Sequence, residues 1–374
     1  MITLIRNVRV FAPQDIGSND VLVMGERIAR IAPDLGTFAS LPSISIVEGK
    51  GRYLTPGFID QHVHILGGGG AAGFGSRGPE LNFSEAMIAG TTTVVGCVGV
   101  DQIGRDLKSL LAKTRSLDFR GMTAMMFTGG FDWRVSMTGS VENDLFLIDK
   151  VIGTKIAVSE HRAPRPSQDQ LNQLISETMV GGLLSGKAGV VQVHMGTLPE
   201  GITPLVKAVK ETGVPIKHVL PTHMHRKHLL GQIPEWVGMG GVVDLTAPST
   251  PASMLKGLLS SGIPVDHITL STDGNGVPTR GGFDKIERVP LNLLHKRFKD
   301  LVLVEEVAVS DALKIITSNV SRVLCMSRKG TVAEGCDADL LLMDSKSLEL
   351  EMVMARGKIM VQNGDMLKMQ KLDV

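Results

Sequence analysis

The sequence predicts a mixed α/β protein, a (β/α)8 TIM barrel that carries a small β-sandwich domain built from both termini. Three observations predict this class. Both ends of the 374-residue chain are rich in strand patterns, eight short apolar runs alternate with helical patterns between them, and metal-binding types of side chain fall at several strand ends. A doubly wound sheet is the alternative, but eight consecutive units favour a closed barrel.

The small domain is predicted from alternating apolar and polar residues near the two termini. These strand patterns cover residues 2–11, 20–32, 338–343, 348–355 and 358–361. The last one is followed by Asn363-Gly364, a dipeptide typical of hairpin turns. We therefore expect residues 1–54 and 326–374 to form the small domain and residues 55–325 to form the barrel.

The barrel is predicted from eight strand-like runs in the middle of the chain. They cover residues 57–64, 91–98, 122–127, 155–159, 190–194, 219–223, 242–245 and 268–271. Helical patterns such as LNQLISETMVGGLL lie between them, with apolar residues at i, i+3 and i+4. A loop is expected after the eighth strand, over residues 274–299.

Composition and charge exclude several classes of function. Lys and Arg number 39 against 38 Asp and Glu, a net charge of +1 without a basic patch, so neither nucleic acid nor a membrane surface is expected as a partner. No run of eighteen apolar residues occurs, and the first residues lack the apolar region of a signal peptide. Three scattered cysteines form no disulfide framework, which favours a cytoplasmic protein.

Metal-binding types of side chain occupy the C-terminal ends of the predicted strands. His62 and His64 end the first strand two residues apart, so both imidazoles face the same side. Lys155 lies on the fourth strand, His194 ends the fifth, His223 ends the sixth, and Asp273 follows the eighth. Because barrel enzymes hold their catalytic groups at this end, we predict a metal site at the mouth of the barrel.

A lysine in such a set is unusual, because an ammonium group repels metal ions. The neutral amine of Lys155 can instead react with carbon dioxide, and the resulting carbamate is an anionic oxygen donor able to bridge two cations. Burial and nearby metal charge both disfavour the ammonium form. Lys155 is therefore a candidate carboxylated ligand.

Several segments resemble the amidohydrolase superfamily and, within it, the isoaspartyl (β-aspartyl) dipeptidase family. The segments PGFIDQHVH, VIGTKIAVSEHR, VHMG, PTHMHR and STDGNG are similar to the metal and substrate motifs of that family. GTVAEGCDADL, followed by ARGK, resembles the return of the chain to the small domain. The resemblance covers nearly the whole sequence.

The resemblance implies a binuclear metal hydrolase that cleaves an amide bond with a metal-bridging hydroxide. The two histidines of the first strand and Asp273 would hold one divalent ion, and His194 and His223 the other, with carboxylated Lys155 between them. Zinc is the expected metal, although cobalt, manganese or nickel could substitute. Asp273 would be the catalytic group that accepts the proton of the water and delivers it to the leaving amine.

The resemblance also implies a substrate site for a small, dipeptide-like molecule. Arg162 and Arg226 match arginines that bind the carboxylate of the leaving amino acid, a task suited to a bidentate guanidinium. Apart from the resemblance, the glycine run 67–70 after the first strand, which includes Gly69, is expected to form a loop at the barrel mouth that offers backbone N–H groups to a substrate carboxylate. Phe131 would line the acyl side, and the family leads us to expect a homo-oligomer.

Four positions depart from the dipeptidase pattern. Ala71 replaces the glutamate that binds the free α-amino group of the substrate, and Phe131 replaces a tyrosine that contacts the reacting carbonyl. Val100 and Val277 replace a threonine and a serine. These changes favour an N-acyl amino acid over a β-aspartyl dipeptide. A cyclic amidase similar to hydantoinases and dihydroorotases, and a non-catalytic assembly scaffold, are further alternatives.

Overall fold

The computed structural model describes residues 1–277 and 287–367. Its strands are β1 Ile2–Phe11, β2 Asp15–Met24, β3 Arg27–Ala32, β4 Ile44–Glu48, β5 Tyr53–Pro56, β6 Phe58–Val63, β7 Thr91–Gly96, β8 Thr123–Gly129, β9 Val151–Val158, β10 Val190–Met195, β11 Val219–Thr222, β12 Val243–Thr246, β13 Ile268–Ser271, β14 Leu340–Met343, β15 Leu350–Ala355, β16 Lys358–Gln362 and β17 Asp365–Met366. Its α-helices are α1 Phe83–Ile88, α2 Leu107–Phe119, α3 Val141–Leu147, α4 Gln168–Ser185, α5 Thr203–Thr212, α6 Lys227–Leu230, α7 Ile233–Gly238, α8 Ala252–Ser260, α9 Leu293–Leu303, α10 Val309–Ile316 and α11 Ser318–Val323.

One nine-stranded sheet joins strands from both ends of the chain. Its order is β17-β16-β15-β14-β5-β1-β2-β3, with β4 paired to β1. The antiparallel pairing of β5 with β14 ties the N-terminal strands to the C-terminal ones. The predicted hairpin is confirmed, since Asn363 and Gly364 both adopt left-handed backbone conformations between β16 and β17.

The two arms of this sheet share one hydrophobic core. Val21, Val23 and Ile28 from one arm belong to the same buried cluster as Leu340 and Met352 from the other. Alternation explains this arrangement, because every second residue of a strand faces the same side. The predicted boundary between residues 54 and 55 falls inside β5, which pairs with β1 as well as β14.

Eight parallel strands, β6 to β13, form the middle of the molecule. They are hydrogen-bonded as a six-stranded sheet in the order β6 to β11 and as the pair β12-β13. Backbone hydrogen bonds also cross between these two groups, from Met224 N to Asp244 O (3.1 Å) and from His64 N to Gly274 O (2.8 Å). All eight predicted strands are present, and the largest shift is at β9, which begins at Val151. The mixed α/β class is confirmed.

Helices between these strands pack apolar faces against them, as α4 illustrates. The Ser167 side chain accepts from the backbone N–H of Gln170, and the Gln170 side chain accepts from that of Ser167. Leu171, Leu174 and Ile175 are buried at the spacing of one helix face. The helix ends at Gly186, whose left-handed conformation suits glycine.

The loop predicted over residues 274–299 is shorter than expected. Residues 278–286 of that stretch lie outside the described residues, and α9 already begins at Leu293. Among the helices described, none is long and apolar enough to cross a membrane.

Candidate active site

The six predicted ligand side chains meet at the C-terminal ends of the parallel strands. His64 Nε2 and His62 Nε2 lie 3.0 and 3.2 Å from the same oxygen, Oδ1 of Asp273. The Lys155 amine contacts His62 Nε2. On the other side, His194 Nδ1 lies 2.8 Å from His223 Nε2. The remaining link is between His62 and His223, whose ring centroids are 5.3 Å apart.

Residues in the left-handed backbone conformation direct two of these side chains toward the cluster. His223 (φ 66°) follows β11, and Asp273 (φ 54°) follows β13. Non-glycine residues rarely adopt this conformation, and where they do it often marks a functional site. The turn at each strand end lets the side chain reach the cluster rather than continue the strand alternation.

A buried polar layer supports the cluster from below. Asp244 on β12 accepts hydrogen bonds from Thr222 Oγ1 (2.6 Å), Ser271 Oγ (2.7 Å), Gln61 Nε2 (2.7 Å) and Thr269 Oγ1 (2.9 Å). Burial raises the pKa of this carboxyl to about 6, although the four donors oppose that rise. The layer ties β6, β11, β12 and β13 together directly under the site.

Three imidazoles of the cluster, those of His62, His194 and His223, are neutral. Burial is the main cause, and it lowers the pKa of His194 to about 4 and the pKa values of His62 and His223 well below the usual range. Burial alone would raise the pKa of Asp273, but its hydrogen bond with His64 and nearby positive charges hold that pKa below the usual range. The cluster thus combines neutral nitrogen donors with an ionised carboxylate.

This donor set fits divalent cations. The ligand atoms of His62, His223 and Asp273 lie within 4.8 Å of one another, as do those of His62, His64 and Cys97. Neutral imidazoles and a carboxylate suit zinc and similar ions. Cys97 was not predicted here. Its Sγ lies 3.5 Å from Lys155 Nζ, and burial raises the pKa of the thiol to about 11, which disfavours the thiolate.

The cluster forms the floor of a cavity of about 610 Å³. Both predicted arginines line its wall, and neither side chain is without partners. Arg162 donates from Nε and Nη2 to the two oxygens of Glu160, each at 2.9 Å. Arg226 Nη1 donates to the Met195 carbonyl oxygen (2.6 Å).

The rim of the cavity carries the positions that depart from the dipeptidase pattern. We call Ala71, Val100, Phe131 and Val277 the apolar rim; all four line the cavity. Ala71 is exposed, whereas Phe131 is buried with its ring 4.5 Å from that of His194. Gly69 also lines it, and a Cβ there would lie 1.9 Å from the Ser76 carbonyl oxygen, so only glycine fits.

Two further residues of the site were not predicted. Glu160 lies behind His194 and binds it as well as Arg162. His225 lines the cavity, and its Nδ1 accepts from Thr246 N at 3.3 Å. Glu160 belongs to the motif SEHR and His225 to PTHMHR, but their positions relative to the predicted strands did not indicate that their side chains face the site.

Comparison with known proteins supports the motif-based resemblance. The amidohydrolase family model matches residues 53–360. A crystal structure of a β-aspartyl dipeptidase from the thermophilic, keratin-degrading Fervidobacterium islandicum AW-1 shares 36% identity and a TM-score of 0.92, over 99% of this chain and 100% of that one. A second structure of that enzyme is a complex with the β-Asp-Leu dipeptide.

More distant relatives match nearly the whole chain. A dihydropyrimidinase from Brevibacillus agri NCHU1002 has 19% identity and a TM-score of 0.70 over 98% of this chain and 96% of that one. Allantoinase from Bacillus licheniformis is 24% identical over 91% of this chain and 86% of its own length. Adenine deaminase 3 from Rhizobium meliloti is 22% identical over 96% of this chain, which spans only 57% of that protein. Because the family model covers most of the chain, the protein belongs to the amidohydrolase family and is a hydrolase that acts on carbon–nitrogen bonds.

Proposed function

We propose that this protein is a binuclear metal-dependent amide hydrolase whose leaving group is an amino acid carboxylate. The observation that carries the proposal is the convergence of six donor side chains on the floor of one cavity with two arginines in its wall. His62, His64 and Asp273 would hold one ion and His194 and His223 the other. Lys155, as the carbamate, would bridge them, and zinc is the ion we expect.

The residues of the chain have separate tasks in this reaction. Two bound divalent ions would lower the pKa of a water and polarise the scissile carbonyl. Asp273, whose carboxylate is ionised, would accept a proton from the attacking water and deliver it to the leaving amine. Arg162 and Arg226, in the wall, would hold the carboxylate of the leaving amino acid.

The rim of the cavity supplies few groups that could pair with a charge on the acyl side of the substrate. Among the described residues, the acidic side chains that line the cavity are Asp273 and Asp101. Asp101 already pairs with Arg77 (3.3 Å) and Arg105 (3.4 Å). The β-aspartyl dipeptidase neighbour supports a β-aspartyl dipeptide as substrate, whereas the apolar rim supports an N-acyl amino acid.

A panel of substrates decides between these two. The zinc-loaded protein is assayed with β-Asp-Leu and N-acetyl-leucine, which share the leaving group, and with dihydrouracil as the cyclic amide. Faster cleavage of either linear substrate supports the proposal and identifies the acyl group. Ring opening of dihydrouracil without cleavage of the linear amides would contradict it.

Four further predictions stand as part of this proposal. The six-stranded sheet and the pair β12-β13 would close into an eight-stranded barrel, which the hydrogen bonds across both junctions support. The nine-stranded sheet would form a β-sandwich domain from both termini, which its shared core supports. A homo-oligomeric assembly and a cytoplasmic location remain predictions from the sequence.

A further inference from the structure

Glu160 is a buried carboxylate that joins two parts of the proposed site. Its side chain is 1% exposed. Oε2 lies 3.1 Å from His194 Nε2 and accepts from Arg162 Nη2 at 2.9 Å. Oε1 accepts from Arg162 Nε at 2.9 Å and from the Arg162 backbone N–H at 3.1 Å, and His161 Nδ1 lies 3.1 Å away.

The backbone is built to bring this carboxylate inward. Lys155 faces the site from β9, and strand alternation would point residue 160 to the opposite face. Ser159 interrupts the alternation with a left-handed conformation (φ 54°) immediately after β9. Gly196 leaves room for the turn, because a Cβ there would lie 2.0 Å from the Ser159 carbonyl oxygen and 2.4 Å from Glu160 Cα.

The hydrogen bonds fix the chemical form of both partners. An ionised carboxylate only accepts, so His194 must donate from Nε2 and keep the lone pair of Nδ1, which faces His223. The Arg162 guanidinium has five N–H groups and uses two of them on Glu160, from Nε and Nη2. Its Nη1 group and the second Nη2 hydrogen are the ones that a substrate carboxylate can use.

A second arginine in the chain forms a similar pair with a carboxylate and serves as a comparison. Asp132 and Arg134 form the same pair two residues apart, with bonds from Nε (2.8 Å), Nη2 (2.7 Å) and the backbone N–H (3.0 Å). Arg134 is 61% exposed and neither residue lines the cavity. Glu160 differs because it is buried and also binds a candidate metal ligand.

We propose that Glu160 is a positioning residue that couples the metal-binding tautomer of His194 to the orientation of Arg162. The inference rests on the proposed function and adds a link between its ion-binding floor and its carboxylate-binding wall. A glutamine at this position can accept on one side only, because its NH2 group would face donors on the other. One substitution should therefore weaken both ion binding and carboxylate binding.

The test uses the variants E160Q, R162M and the double variant, with D132N as the matched control. Zinc affinity is measured by competition with a chromogenic chelator, and kcat and KM with the better substrate of the panel. We expect E160Q to lower zinc affinity by about 10- to 100-fold, the range for partners of metal-binding histidines. We also expect it to raise KM. R162M should raise KM and leave zinc affinity unchanged.

The double variant separates coupling from simple loss of packing. If Glu160 acts on the substrate through Arg162, the double variant has the zinc affinity of E160Q and a KM no higher than that of R162M. Wild-type zinc affinity in E160Q, or KM effects that add in full, would overturn the proposal. If E160Q does not fold, E160D takes its place, since it keeps the charge but is too short to hold both partners.

The zinc measurement requires no turnover. A wild-type protein that binds zinc but cleaves nothing would count against the proposed reaction, while the zinc affinities of wild type and E160Q would still test the coupling to His194. D132N should match the wild type in both measurements.

Discussion

The floor and the rim of the cavity differ in polarity and in the secondary structure that supports them. The floor lies at the ends of parallel strands, and its polar side chains bind one another at 2.8 to 3.2 Å. The apolar rim consists of loop residues, from exposed Ala71 to buried Phe131. Strand ends hold side chains in fixed positions, whereas loops tolerate substitution. Under the proposed function, the floor would determine the reaction type and the rim the choice of substrate.

The largest effect is expected from removing a floor residue. In His223→Ala, hydrolysis should fall by roughly a thousandfold or more, because loss of an ion removes several kcal/mol of stabilisation from the transition state. Steady-state kinetics and metal content measure this. His267→Ala is the control, since that histidine binds the Gly241 carbonyl oxygen and does not line the cavity. Equal activity in both variants would contradict the proposed role of His223 as a metal ligand.

A change at the rim should alter substrate choice rather than the reaction. In Ala71→Glu, the ratio of kcat/KM for β-Asp-Leu to that for N-acetyl-leucine should rise roughly tenfold, the value of one charge-assisted hydrogen bond to the substrate ammonium. Ala72→Glu adds the same charge to the same loop, but residue 72 does not line the cavity. A ratio that moves equally in both variants would mean that general electrostatics, and not position 71, is responsible.

The smallest effect is expected from Phe131→Tyr, which adds one hydroxyl group above the floor. Its ring already lies 4.5 Å from the His194 ring and 5.4 Å from the Arg162 guanidinium carbon. A new hydrogen bond to the reacting carbonyl should raise kcat by about two- to tenfold, in line with the net value of one such bond. Phe74→Tyr is the control, since Phe74 is exposed and does not line the cavity. A lower kcat for Phe131→Tyr, with no change for Phe74→Tyr, would show that the rim has no room for a hydroxyl group at position 131.

Much of the floor could be predicted from sequence, because the regular alternation of strands fixes which side chains face inward. Lys155 on β9 faces the site as predicted, and His62 and His64 both reach Oδ1 of Asp273, although β6 ends at Val63. The eight parallel strands were predicted for a similar reason, since short apolar runs between helices leave few alternatives. The hairpin at Asn363 followed from turn chemistry alone.

The remaining features of the site depend on local backbone conformations that hydrophobic periodicity does not predict. Glu160 has the wrong parity for β9 and reaches His194 only through the left-handed turn at Ser159. Strand β5 was not predicted either: residues 53–56 were assigned to no strand and were divided between the small domain and the barrel, although they pair with β1 and β14. Cys97 gave no signal of its position beside Lys155, since a lone cysteine is usually an inert core residue.

The most direct test of the account is metal stoichiometry matched to activity. The protein is stripped with a chelator and then titrated with zinc in the presence of bicarbonate, while bound metal and cleavage of the better linear substrate are followed together. We expect activity to be lost on stripping and to be regained in full as two ions bind per chain. Full activity in the stripped protein, or a plateau at one ion, would contradict the binuclear site.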